Sequence, residues 1–201
     1  NQAWDQPSVV YVLTGDITIP SSTELTIAPG VIVKVQDDRS LLVNGKLTAV
    51  GTNSQKIVFT FWGDDTIGGD TNNDGTTTTP NPNDTVLIWG RIRFGDSSDD
   101  TSAIEHVIVR YAGNINCCEV STAAIEIIDA SPTIRNSQIT LNRVHGISTQ
   151  STVPSFPSDP TFVCLDIEEN SANGLVNQSP NSPINAENLW WGTVTGPYHP
   201  T

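Results

Sequence analysis

The chain has 201 residues, enough for one domain with a sizeable core, and a formal net charge of −13 with 15% of residues charged. That acidic balance excludes a nucleic-acid partner, whose phosphates need a basic surface, and opposes adhesion to anionic lipid. No apolar run approaches the roughly 20 residues of a membrane helix, and the scarcity of Lys and Glu disfavours long amphipathic helices.

Apolar residues come instead in short, β-branched bursts. In chain order, residues 16–19, 24–27, 31–35, 40–43, 46–50 and 56–61 read as strands. The corners between them carry turn residues: Pro20-Ser21-Ser22, Pro29-Gly30, Asn44-Gly45 and Gly51-Thr52-Asn53. Residues 1–8 at one end and 193–201 at the other read as irregular plugs, or as arms that reach a neighbour.

A polar insertion follows, over about 63–85. Within it Asp70-x-Asn72-x-Asp74-Gly75 matches the opening of a calcium loop, in which alternating oxygen ligands converge and Gly permits the sharp turn. An EF-hand would need a Glu where Asn81 stands, and flanking helices that this sequence does not suggest. The reading is therefore an isolated Ca²⁺ loop, completed by Asp64, Asp65 or Asp84 and by backbone carbonyls, which orders a long segment. A solvated turn remains the alternative, because Asn-Asp-Gly is also ordinary turn chemistry. Asp96, Asp99 and Asp100 read as a second, plainly solvated acidic turn.

The second half repeats itself. Pro132 and Pro160, Ile139 and Ile167, Asn142 and Asn170, and Gly146 and Gly174 each lie 28 residues apart. A finer motif places one apolar residue five positions after another: Ile104 and Val109, Ile134 and Ile139, Phe162 and Ile167, Ile184 and Leu189. The motif is constant while the step between copies varies, as in a solenoid whose turns differ by loop insertions. One such loop is expected over about 148–158. At roughly 25 residues per turn the chain holds seven or eight turns. Equivalent positions then stack about 4.8 Å apart, which makes Asn142 and Asn170 an amide ladder.

Cys117, Cys118 and Cys164 are the three cysteines. The odd count favours a disulfide from Cys164 to one of the vicinal pair, with the remaining thiol free or bridging chains; three buried thiols are the alternative. The chain opens Asn1-Gln2-Ala3 and has no Met, so it is read as a secreted form after signal-peptide removal, although an excised domain would look the same.

No catalytic constellation emerges. Arg91, Arg93, Arg110, Arg135 and Arg143 are scattered singly. The carboxylates Glu105, Glu119, Glu126 and Asp129 form no paired motif, and Asp166-Ile167-Glu168 alternates as an outward-facing strand does. His106, His145 and His199 lack metal-ligand spacing. Trp89 and Trp190 read as core cover, Trp191 and Tyr198 as exposed contact residues.

The segments Ile27-Ala28-Pro29-Gly30-Val31-Ile32-Val33-Lys34, Asn44-Gly45-Lys46-Leu47-Thr48-Ala49-Val50-Gly51-Thr52, Trp89-Gly90-Arg91-Ile92-Arg93-Phe94 and Asn188-Leu189-Trp190-Trp191-Gly192 resemble the secreted right-handed parallel β-helix repeat proteins of the broad pectin-lyase-like superfamily. The resemblance spans nearly the whole chain. It implies an all-β, single-domain right-handed parallel β-helix over 1–201, and it also supports the calcium loop, since a similar insertion recurs in that family. It leaves function open, since members of such a fold range from lyases to surface-layer parts. The expectation is a non-enzymatic extracellular structural module whose partners are copies of itself, assembled into a fibre, tube or sheath. The alternative is a carbohydrate-binding or polysaccharide-cleaving module.

Overall fold

A computed structural model of the protein describes residues 1–83, 88–113, 122–152, 158–179 and 182–192. Strands of three to six residues cannot bury an apolar face alone, so each turn of chain lays down three of them and the next turn pairs on top. Coil one contributes β1 (Gln2–Trp4), β2 (Val10–Leu13) and β3 (Ile17–Ile19); coil two, β4 (Glu24–Ile27), β5 (Ile32–Val35) and β6 (Leu41–Val43). Coil three holds β7 (Lys46–Val50), β8 (Ile57–Phe61) and β9 (Ile92–Phe94); coil four, β10 (Ala103–Glu105), β11 (Val107–Arg110) and β12 (Ala123–Ile128). Coil five holds β13 (Thr133–Arg135), β14 (Gln138–Thr140) and β15 (His145–Gln150); coil six, β16 (Thr161–Val163), β17 (Asp166–Glu168) and β18 (Leu175–Asn177).

Every third strand joins the same sheet, all in parallel. Sheet 1 runs β1-β4-β7-β10-β13-β16, sheet 2 β2-β5-β8-β11-β14-β17, and sheet 3 β3-β6-β9-β12-β15-β18. The result is a right-handed parallel β-helix. Register places like on like. Ile104 lies on Ile134 and then Phe162 in sheet 1, and Val109 on Ile139 and then Ile167 in sheet 2. The five-residue spacing of the sequence motif is thus the step from sheet 1 to sheet 2 across one corner. The three inner faces meet in a single apolar core from Leu13 to Ile167, with Phe59, Phe61, Trp89 and Phe94 fully buried.

Three expectations are corrected. The described residues form six complete coils, not seven or eight. A seventh only begins, where Trp190 bridges to Asp166. The difference lies in the insertion, which stretches the step between Leu47 and the hydroxyl of Ser102 directly above it to 55 residues. Residues 1–8 are not simply a plug, because β1 pairs with β4 through Gln2–Leu25 to Trp4–Ile27. The loop expected from 148 starts later, since Thr149 and Gln150 still pair with Ile127 and Ile128. Residues 153–157 lie outside the described residues. Among the described residues there is no helix, hence none long and apolar enough to cross a membrane.

Candidate functional site

The acidic insertion leaves sheet 2 after Phe61 and lies along its outer face as a strap. A Cβ at Gly68 would stand 2.8 Å from Val10 of coil one and 3.4 Å from Lys34 of coil two, and the positive φ of 70° there independently suits glycine. Arg110 of coil four donates to Thr66 Oγ1 at 2.7 Å, and Ser171 of coil six donates to the carbonyl of Pro82 at 3.0 Å. This cover buries Thr60, an outward position of β8 that donates to Asp64 of the strap.

Two cations hold the strap down. Lys34, on the outward side of β5, is fully buried and its Nζ donates to the Gly69 carbonyl at 2.5 Å. Burial pushes its pKa below the usual lysine value, while the carboxylates of Asp64, Asp65 and Asp70 pull it back up. Asp64 is also fully buried. It accepts from Thr60 Oγ1 at 2.5 Å and Thr66 Oγ1 at 2.6 Å, and Arg110 Nη2 lies 2.6 Å away. Asp64, expected as a metal ligand, is therefore already engaged by protein donors and anchors the strap to β8 and β11.

Asp65, Asp70 and Asp74 converge: each offers a carboxylate oxygen within 4.8 Å of the others. Both Asp70 oxygens accept backbone N–H groups, from Asp74 at 3.2 Å and Gly75 at 2.9 Å. Asn72 donates its amide to Asp74 Oδ2 at 2.8 Å and to Thr78 Oγ1 at 3.0 Å. The Oδ1 atoms of Asp65, Asn72 and Asp74 are buried and have no hydrogen-bond partner in the structure. Asp84 lies outside the described residues. Sequence reasoning missed Lys34, Thr60 and Arg110 as partners of the insertion; the one available signal was a lysine inside the apolar run 31–35.

Elsewhere, the outer face of sheet 3 carries a concavity of about 270 Å³ lined by Arg91, Arg93, Glu126, Ser148, Gln150 and Gln178. Its carboxylate, Glu126, is paired with Arg91 Nε at 3.1 Å and accepts from the Thr122 N–H at 2.6 Å. Such a lining can bind hydroxyl groups, but it lacks the second carboxylate of glycoside hydrolysis among the described residues.

Cys164 is an exposed thiol, and no disulfide is present among the described residues; Cys117 and Cys118 lie outside them. The two tryptophans near the end of the chain exchange their expected roles. Trp190 is 45% exposed, whereas Trp191 is half-buried and packs on the core, its ring 3.0 Å from where a Gly174 Cβ would stand. Trp89 is fully buried, with its indole N–H donating to the Arg110 carbonyl at 2.8 Å. Tyr198 lies outside the described residues.

No known family, no curated protein and no solved structure matches this chain. The class of protein therefore rests on architecture: a parallel β-helix with an acidic strap bound along one sheet.

Proposed function

We propose that the chain is a non-enzymatic structural module of the secreted β-helix type, in which copies stack end to end into an extracellular fibre, tube or sheath. The observation that carries this reading is the outer edge of coil one. There β1, β2 and β3 each pair on one side only, and Val9, Val12 and Ile17 are 53%, 39% and 38% exposed. A cavity of about 280 Å³ opens between sheets 1 and 3 at this end, lined by Trp4, Ile17, Ile19 and Leu25. Unpaired strand edges above an apolar floor recruit further strands, and a coil of a second copy is the occupant with matching spacing. The pairing of Glu126 with Arg91 supports a role without catalysis. In this reading Ca²⁺ serves to order the strap, and the exposed thiol of Cys164 is available for a cross-link.

The test is sedimentation velocity with electron microscopy over a concentration series, on the wild type and on Val12→Lys/Ile17→Lys. Concentration-dependent linear assemblies are expected for the wild type. The variant should remain monomeric with an unchanged circular dichroism spectrum, because edge lysines block strand pairing. A wild type that stays monomeric throughout overturns the reading and favours carbohydrate binding at the sheet 3 concavity, read out by affinity electrophoresis in polysaccharide.

A further inference from the structure

The geometry points to one divalent cation, Ca²⁺, bound by Asp65, Asp70, Asp74 and Asn72, which clamps the strap onto sheet 2. This deepens the ordering role given to the strap, and it holds or fails independently of end-to-end stacking.

Three observations carry it. First, the three carboxylates bring oxygens within 4.8 Å of one another, a separation spanned by ligands that each lie about 2.3–2.6 Å from one Ca²⁺. Second, the Oδ1 atoms of Asp65, Asn72 and Asp74 each expose less than 1 Å² and have no donor. A buried carboxylate oxygen without a partner is costly, and Asn72 adds a neutral oxygen of the same kind beside the acidic cluster. Four nearby hydroxyls are committed elsewhere: Thr60 and Thr66 to Asp64, Thr71 to the Trp62 carbonyl, Thr77 to the Asp74 carbonyl. Third, the charges leave a remainder of the right size. Asp64 is ion-paired with Arg110, and Lys34 feels the fields of Asp64, Asp65 and Asp70, so the four carboxylates and two cations gathered here sum to two negative charges. An all-oxygen donor set selects a hard cation over zinc or copper.

Of the completing ligands expected from the sequence, the geometry keeps Asp65 and excludes Asp64, whose oxygens are occupied by Thr60, Thr66 and Arg110. The ion would join the start of the strap at Asp65 to its middle at Asp70 and Asp74. It would thus close a loop whose two parts are held to the solenoid separately, by Arg110 and by Lys34.

The experiment is Tb³⁺ luminescence under tryptophan excitation on the full chain stripped with EDTA, with Ca²⁺ as competitor; Trp62 borders the strap and serves as sensitiser. The variants are Asp65→Asn, Asp70→Asn/Asp74→Asn, and Asp96→Asn as a surface control. One saturable, Ca²⁺-competed site per chain is expected. Its affinity should fall roughly tenfold or more in both ligand variants and stay unchanged in the control. Ca²⁺ should also raise the midpoint of thermal unfolding in the wild type and the Asp96→Asn control, and by less or not at all in the ligand variants. Asp65→Asn carries the test if the double variant loses its fold by circular dichroism. An unsaturable signal, or one that Asp65→Asn and Asp96→Asn alter equally, overturns the proposal. Sedimentation of the same samples reports stacking separately.

Discussion

Asn142 closes a corner of the solenoid with a fully buried side chain. Its Oδ1 accepts from the Ala112 N–H at 3.0 Å, and its Nδ2 donates to Asn170 Oδ1 at 2.8 Å and to the Val109 carbonyl at 3.2 Å. Asn170 repeats the arrangement one coil on, donating to the Ile139 carbonyl at 2.8 Å. Each amide thus satisfies backbone groups that the corner removes from the sheet ladder. Asn142→Leu keeps the volume but strands these groups, and is expected to lower stability by about 2–4 kcal/mol, read as a shift in the urea midpoint at unchanged slope. The residue before each of these amides, Leu141 and Glu169, has positive φ, as does Tyr111 at the same corner of coil four. Gly146, which recurs as Gly174, has a steric origin: a Cβ there would stand 2.6 Å from the Gly174 carbonyl and 2.9 Å from Ile167 Cγ2.

At the scale of elements, the strap turns outward strand positions into buried ones. Thr60 and Lys34, neighbours in the β5–β8 register, point away from the core and still have no exposed surface. The ion pair beneath the strap is correspondingly sensitive. Arg110→Met leaves the Asp64 carboxylate buried without its counter-charge, and should cost about 2–4 kcal/mol; the Arg110 side chain is one-fifth exposed, which moderates the loss. Arg110→Met combined with Asp64→Asn should recover much of it, so a double-mutant cycle in urea gives a favourable coupling for the wild-type pair. Purely additive losses would contradict this account. Strands in the first half were legible because alternation and corner residues agreed: the runs 24–27, 46–50 and 56–61 match β4, β7 and β8 to within a residue. β1 was not, since Gln2-Ala3-Trp4 has one large apolar side chain and its pairing with β4 is set by a partner 23 positions on.

Across the whole molecule, each coil touches mainly its neighbours, so protection should depend on position along the axis. Native-state hydrogen exchange is expected to be slowest in β8 and β11, which have partners on both sides and lie beneath the strap, and fastest in coil one, whose edge is unpaired. A uniform profile would mean that the solenoid opens only as one unit. Stacking, where it occurs, should raise protection in β1, β2 and β3 specifically.

The parallel solenoid itself was determined by the sequence alone. A motif of Ile, Asn and Gly restated at fixed offsets has a physical cause only if its copies lie one above another, and the pairing of Ile104, Ile134 and Phe162 bears that out. The tertiary structure alone decided what the acidic insertion meets. Arg110 reaches Thr66 from 44 positions away and Lys34 reaches Gly69 from 35, because stacking brings residues of different coils within a few ångströms whatever the length of chain between them. Which carboxylate becomes an anchor and which is left with an unpartnered oxygen follows from those contacts, and no spacing within 63–83 encodes it.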